Sequence, residues 1–175
     1  MDCYTHIPYI TINGIPTMRD SQLLDLYYTL EKDGLIDLFL HDGSINNQSQ
    51  WLAHVKNPTT LLWTLQVNGR TGGFCYFTNI DRAKAFCHFS VYKEFWGSVK
   101  TVPGGQYVMQ EALKIFNTVM GMCPVSNILA VSFLKKIGLT HIMDVPNALW
   151  SKQEGKAVTG SLLYITREEL DEDIQ

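Results

Sequence analysis

The chain has 175 residues, of which 46% are hydrophobic and 18% charged, and its formal net charge at pH 7 is −3. This length and composition are typical of one globular domain with a substantial core and exclude an intrinsically disordered chain. The small negative charge disfavours nucleic acid as a partner, because proteins that bind a phosphate backbone carry a basic surplus. No apolar run approaches the ~20 residues needed to cross a bilayer, so no membrane partner is expected.

The sequence holds four cysteines far from one another, at Cys3, Cys75, Cys87 and Cys123. No cationic and then apolar leader precedes them, which predicts a cytoplasmic protein with reduced thiols. The Cys87-His88 pair, together with Cys123 and His141, lacks the close spacing of zinc ligands or of a Cys-His nucleophile pair. We therefore expect no metal.

The N-terminal part predicts a strand and a helix. Alternating apolar residues indicate a first strand within Tyr4–Ile15. The segment Thr17–Asp20 has the spacing of a capping box, and the apolar residues behind it recur at helical spacing. A helix is therefore predicted over Arg19–Lys32, with its end near Gly34.

A polar loop, a short helix and an antiparallel meander are predicted next. The helix begins at Ser49 or Gln50 and ends near Asn57, since Pro58 disfavours helix at the preceding residue. The three strands of the meander are predicted at Thr59–Val67, Thr71–Phe77 and Ala85–Tyr92. Asn68-Gly69 predicts a two-residue hairpin turn between the first two, because both residue types tolerate positive φ.

The second half alternates helices and strands. Helical periodicity predicts helices over Gly105–Asn117 and Asn127–Ile137, the second closed by Gly138. A strand within 119–125 separates them. Two further strands, at His141–Val145 and Ser161–Thr166, are predicted with a loop between them, and the acidic tail from 168 to 175 is expected to fray.

A glycine turn at the start of a long helix predicts an anion site at Gly104–Tyr107. The first amides of a helix have no acceptor inside it and carry partial positive charge, so phosphate groups bind there. An ordinary glycine loop before a core helix explains the same residues.

Two stretches in the second half resemble the GNAT family of N-acetyltransferases. In the first, Trp96-Gly97 and Glu111-Ala112 match W-G-x-G-y-x-x-E-A, a pattern of the branch that acetylates protein N-termini and similar amines. Residues 98–103 stand between these parts as an insertion, and Gln106 or Tyr107 takes the place of a loop glycine.

The second stretch is similar to the family's N-x-x-A-x-x-x-Y-x-K-x-G-F. Asn127, Ala130, Lys136 and Gly138 match this pattern in register. Leu134 stands where the family has a tyrosine that often protonates the departing thiolate, and a leucine has no proton to donate.

The resemblance implies a GNAT acyl-CoA N-acyltransferase fold. This is an α/β fold whose mixed, mostly antiparallel sheet has about six to seven strands flanked by about four helices, here as a single domain over residues 1–175. The acyl-CoA would lie in a V-shaped opening between two central strands. The implied cofactor-binding residues are Val91, Tyr92 and Lys93 for pantetheine; Gly104, Gly105, Gln106 and Tyr107 for the diphosphate, with Lys100 as a charge partner; and Asn127, Ala130 and Lys136 beside the pantetheine arm. Asn127 is equally explained as a helix N-cap.

The resemblance implies direct attack of an amine on acetyl-CoA, with no metal. His88 and Glu94 are the predicted general bases, although a structural sheet histidine and a solvated carboxylate are the alternatives for them. Tyr92, Tyr107 or water would replace the missing acid. The acceptor implied is a small amine, a protein N-terminus or a lysine side chain. The sequence does not decide between a monomer and a homodimer.

A second hypothesis belongs to another functional class. The altered glycine loop and Leu134 both favour a GNAT-fold protein without catalysis, kept as a binding or structural module of the kind found among phage- and prophage-encoded proteins. Binding of acetyl-CoA separates the two hypotheses.

Overall fold

The computed structural model describes residues 2–168, which form a seven-stranded mixed sheet and a separate two-stranded hairpin. The strands are β1 (Tyr4–Pro8), β2 (Thr11–Ile12), β3 (Ile15–Pro16), β4 (Leu61–Val67), β5 (Arg70–Thr78), β6 (Lys84–Val91), β7 (Thr118–Pro124), β8 (Thr140–Ser151) and β9 (Lys156–Thr166). The large sheet has the order β1-β4-β5-β6-β7-β9-β8. Among these neighbours β6 and β7 run parallel, and the other pairs are antiparallel.

Helices cover both faces of this sheet. They are α1 (Asp20–Lys32), α2 (Ile36–Phe39), α3 (Gln48–Val55), α4 (Ser98–Leu113) and α5 (Ile128–Lys136). No described helix is long and apolar enough to span a bilayer. The predicted tail lies outside the described residues from position 169 onward.

Alternation along the central strands divides the core between the two faces. Phe74 and Tyr76 of β5 pack on the face of α1 and α3, where the buried Trp51 ring lies 5.3 Å from that of Phe74. Phe77 points to the opposite face and lies 5.5 Å from Phe116, which follows α4. Neighbouring residues of one strand therefore belong to different halves of the core.

The meander and its first turn are confirmed. Asn68 and Gly69 have φ values of 53° and 77°, as a two-residue hairpin with positive φ at both positions requires. The N-cap function of Asn127 is also present, since its side chain accepts a hydrogen bond of 3.1 Å from the Ala130 amide. Gly138 follows α5 with φ 105°.

The predicted start of the fourth long helix is wrong. α4 begins at Ser98, not at Gly105, so the segment expected as an inserted loop forms its first turns. Thr101 contributes there because its hydroxyl donates a 2.8 Å hydrogen bond to the Phe95 carbonyl. These tertiary contacts outweigh the poor helix propensity of a segment that contains Pro103.

Three further expectations at the two ends of the chain are corrected. The first strand ends at Pro8, and the residues after it form the β2–β3 hairpin, with Asn13 at φ 51° in its turn. At the start of α1 the Gln22 side chain accepts a hydrogen bond from the Arg19 amide, while the Thr17 hydroxyl donates to the Pro8 carbonyl and does not cap the helix. The long loop predicted between the last two strands is reduced to a turn at 152–155, because β8 and β9 extend toward each other and pair along most of it. The helix α2 was not predicted.

Candidate active site

A cleft opens where the two parallel strands of the sheet separate. β6 and β7 pair only at Lys84–Thr118, Ala85–Val119 and Phe86–Met120. Beyond these pairs the strands diverge, and a cleft of about 370 Å³ lies between them. This volume is within the range of small-molecule sites, roughly 300–1,000 Å³.

The cleft passes through the sheet, because residues from both of its faces line it. On the side of α4 and α5, called here the α5 side, the wall contains Phe89, Val102, Asn127, Phe133 and Leu134. On the opposite side, called here the α2 side, it contains Leu35, Leu38, Phe39, His41 and His88. The cleft therefore borders both faces of the sheet.

The open edge of β6 presents backbone groups to the cleft. The Tyr92 amide donates to Gly72 on β5, and backbone groups of alternate residues face the same neighbour. Phe89 and Val91 therefore direct their amides away from β5 and toward the cleft. The Val91 carbonyl already accepts a 2.8 Å hydrogen bond from the Trp96 indole.

The N-terminus of α4 lies at the rim of this cleft. Trp96 and Gly97 are both part of the wall, and α4 starts at the next residue. Gly97 has φ 124° and ψ 140°, a backbone conformation that glycine adopts without strain and other residues do not. The helix is 16 residues long, and its first amides, at 98 and 99, have no acceptor one turn earlier within it.

The residues predicted to bind diphosphate do not lie at the start of α4. Gly104, Gly105, Gln106 and Tyr107 fall inside α4, where their amides take part in the helix, and an anion at these amides would have to break it. The glycines permit close packing instead: a Cβ on Gly105 would lie 2.5 Å from Ile137 Cγ2. The amides at the start of α4 belong instead to residues 98 and 99, with Lys100 in the same turn.

The other predicted cofactor-binding residues divide into two groups. Val91, Asn127, Ala130 and Lys136 line the cleft. Tyr92 and Lys93 do not: the Tyr92 side chain is buried, and the exposed Lys93 is held by a 2.8 Å hydrogen bond from its amide to Asp33.

His88 lies on the wall of the α2 side. Its ring stacks on Tyr76 with centroids 4.5 Å apart, and its Nε2 is 3.0 Å from the Thr78 hydroxyl. Desolvation by burial, together with the neighbouring His54, lowers the pKa of His88 to about 4. Its imidazole is therefore neutral at pH 7.

Glu94, the second predicted base, lies away from the cleft. It forms an exposed ion pair with Arg70, with 2.7 Å between Oε2 and Nη2. Tyr92 and Tyr107, the predicted replacements for the acid, are also outside the wall. Burial raises the pKa of both phenols, and the Tyr107 hydroxyl pairs with His6 Nδ1 at 3.0 Å.

His41 lines the cleft and was not among the predicted site residues. Its Nδ1 is 3.2 Å from the Trp150 carbonyl oxygen. A carbonyl only accepts hydrogen bonds, so Nδ1 carries the proton and Nε2 keeps its lone pair in the neutral ring. No periodic pattern marks this residue, because its position depends on a contact across 109 residues.

Similarity to known proteins is found at the level of structure. No protein-family model matches the chain, and no curated protein does. The spermidine N-acetyltransferase from Vibrio cholerae, solved with CoA and spermine, superposes with a TM-score of 0.73 at 10% identity over 95% of this chain and 96% of that one.

Two further solved structures agree. An acetyltransferase from Salmonella typhimurium that modifies the N-terminal serine of a 50S ribosomal subunit protein gives a TM-score of 0.71 at 12% identity, over 85% of this chain and 91% of that one. A protein from Chromobacterium violaceum described as a GNAT-family acetyltransferase gives 0.73 at 13% identity, over 88% and 82%. The chain therefore has the GNAT acetyltransferase fold, as the sequence predicted.

Proposed function

We propose that this protein transfers the acetyl group of acetyl-CoA to the nitrogen of an amine. The observation that carries the proposal is the cleft that crosses the sheet between β6 and β7, with a helix N-terminus at its rim. Such a passage lets a thioester enter from one face and a nucleophile from the other.

Acetyl-CoA would lie on the α5 side. Its pantetheine arm would run along the open edge of β6 and accept hydrogen bonds from the Phe89 and Val91 amides. Its diphosphate would bind the free amides at the start of α4, where the helix dipole favours negative charge. Lys100 in the first turn and Lys136 on the wall add positive charge.

The amine would reach the thioester from the α2 side. A β6 amide, from Phe89 or Val91, polarises the thioester carbonyl, so the oxygen that becomes negative in the transition state is already hydrogen-bonded. The nitrogen forms the C–N bond as the C–S bond breaks, and the CoA thiolate takes a proton from water. His41, acting directly or through water, accepts the proton that the amine loses. His88 is the weaker candidate for this step, because burial lowers its pKa to about 4.

Leu134 does not prevent this reaction. It lies on the α5 side of the wall, and a Cβ on Gly121 would be 3.3 Å from its Cδ1, so it packs against β7. Thiolates are good leaving groups, so the loss of a protein acid slows the reaction without abolishing it. We expect a modest turnover number rather than an inactive protein.

Thermal unfolding with acetyl-CoA and an assay of CoA release on a panel of amines test the proposal together. A ligand present at 100 times its Kd adds about 2.7 kcal/mol of stability, which raises the Tm of a domain of this size by roughly 5–10 °C. Such a shift with amine-dependent CoA release supports the transferase. A shift without turnover on any amine leaves a coenzyme-binding module without shown transferase activity, and no shift contradicts the transferase and favours the non-catalytic module.

A further inference from the structure

We infer that the acceptor is a monoamine carried on an apolar body, and that a second positive charge on the acceptor is selected against. The inference rests on the proposed function, because it concerns the α2 side of the same cleft. It names the chemical class of the amine, which neither the fold nor the structural neighbours assign to this chain.

The side chains of the α2 side form an apolar chamber. Leu35 and Phe39 come from the beginning and end of the α2 region, and Leu38 stands between them at the rim with 47% of its surface exposed. The Phe39 ring is fixed edge-on against Phe74 and Tyr76, with centroids 5.3 and 5.7 Å away. These side chains can pack against aliphatic or aromatic groups of a bound acceptor.

The charges around the chamber do not favour a dication. Every titratable side chain that the described residues place on the wall of the whole cleft is a histidine, a cysteine or Lys136. The two carboxylates nearest the α2 side, Asp37 and Asp42, are not part of the wall, although the charge of Asp42 acts on His88 from outside it. Asp42 accepts hydrogen bonds of 2.9 and 3.0 Å from the hydroxyl and amide of Ser44, and the exposed Asp37 faces Lys152 at 3.8 Å.

Burial explains why an apolar monoamine suits this chamber. Desolvation disfavours charged forms, and it already lowers the pKa of His88 on the same wall. An ammonium group that enters loses its proton more easily for the same reason, which produces the nucleophile. A second ammonium on the acceptor would have to be desolvated with no carboxylate on the described wall to pair with it, or lose its proton as well.

A matched pair of probes isolates the second charge. 1-Aminohexane and 1,6-diaminohexane have the same chain length and differ by one ammonium group. We expect kcat/KM with acetyl-CoA to be at least about 10-fold higher for 1-aminohexane, which corresponds to a transition-state difference of about 1.4 kcal/mol. Equal values, or a preference for the diamine, would overturn the inference while the transferase proposal stands.

A binding experiment separates this inference from the proposed function. Calorimetric titration of the protein saturated with CoA is expected to show binding of 1-aminohexane and weaker binding of 1,6-diaminohexane. If the monoamine binds selectively but no amine is acetylated, the acceptor class is supported and the transferase proposal fails. If neither amine is bound or acetylated, the acceptor class is wrong.

A charge introduced at the rim provides the converse test. Leu38→Glu places a carboxylate at the exposed edge of the chamber and is expected to shift the kcat/KM ratio toward the diamine by about 5- to 10-fold. Ile80→Glu is the matched control, because Ile80 is 39% exposed and lies outside the cleft. The inference is contradicted if both variants change the ratio equally or if Leu38→Glu leaves it unchanged.

Discussion

The indole Nε1 of Trp96 donates a hydrogen bond of 2.8 Å to the backbone carbonyl of Val91. This bond ties the open edge of β6 to the residue that precedes Gly97 and the start of α4. This side chain therefore contributes directly to the relation between the two backbone features on which the proposed coenzyme site depends, the strand edge and the helix N-terminus. Trp96 is 47% exposed, so packing alone does not hold it there.

Removal of the indole N–H should weaken this connection. Trp96→Phe keeps an aromatic ring but leaves the Val91 carbonyl without its donor, at a cost of about 1 kcal/mol. We expect the Kd for acetyl-CoA to rise roughly 5-fold, as measured by calorimetric titration. Trp150→Phe is the control, since Trp150 is similarly exposed on β8 and contributes only its carbonyl to His41. Equal effects of the two substitutions would count against a specific role for Trp96.

The backbone conformation of Gly97 should be essential for the helix start. Gly97→Ala introduces a side chain at φ 124°, which costs about 1–3 kcal/mol and displaces the first amides of α4. We expect the affinity for acetyl-CoA to fall at least about 10-fold.

Gly155→Ala is the matched control for Gly97→Ala. Gly155 also has positive φ, at 62°, and lies in the turn between β8 and β9. Its substitution should reduce the free energy of unfolding and leave the acetyl-CoA affinity unchanged. A Gly97 variant that binds acetyl-CoA like the unmodified protein would show that the helix start is not the diphosphate site.

Two adjacent glycines of α4 should differ in their tolerance of a methyl group. Gly105→Ala places Cβ 2.5 Å from Ile137 Cγ2 and 2.8 Å from Phe133 Cζ, whereas Gly104→Ala meets Leu65 and Tyr4 side-chain atoms at 3.2 Å. We expect Gly105→Ala to lower the free energy of unfolding by about 1–3 kcal/mol, despite the helix propensity of alanine.

For Gly104→Ala the change should be smaller than for Gly105→Ala, because the neighbouring side chains have room to adjust. Urea denaturation measures both. A Gly105 variant at least as stable as its neighbour would mean that α4 and α5 do not pack as closely as the structure shows.

His88 should make stability depend on pH in the acidic range. Its pKa is about 4 in the folded state, below the value of ~6.5 expected in the unfolded chain. Between these values the unfolded chain binds the extra proton and the folded one does not, so stability decreases as pH falls through this window. The effect of His88 reaches about 3 kcal/mol at most.

Denaturation midpoints at several pH values between 4 and 7 measure this dependence. Burial lowers the pKa of His54 as well, so part of the slope persists without His88. His88→Gln should flatten the dependence relative to the unmodified protein. Parallel curves for the two proteins would show that His88 is not desolvated on the wall of the cleft.

Local sequence chemistry was sufficient to predict features that depend on residues close together in the chain. Asn68-Gly69 makes a positive-φ turn, Asn127 caps α5, and the meander follows from alternation. The start of α4 was missed because Val99, Val102 and Pro103 disfavour helix locally, and only tertiary contacts with the rest of the core outweigh that preference.

The candidate site could be predicted only in part for a related reason. His88, Val91 and Asn127 reach the cleft from elements that were predicted correctly. His41 reaches it because the loop after α2 contacts β8. Such a long-range contact produces no periodic pattern in the sequence from which it could be predicted. Glu94 was favoured by its nearness in sequence to β6, but the short turn at Lys93–Phe95 carries it to Arg70 instead.

The central claim is that acetyl-CoA occupies the opening between β6 and β7 with its diphosphate on the start of α4. Backbone amide chemical shifts, recorded by NMR during a titration with acetyl-CoA, test it most directly. The expected result is a set of large changes at Phe89, Val91 and residues 97–99, with smaller ones along the middle of α4. Saturable binding with its largest changes at 104–107, or no binding at all, would contradict the account.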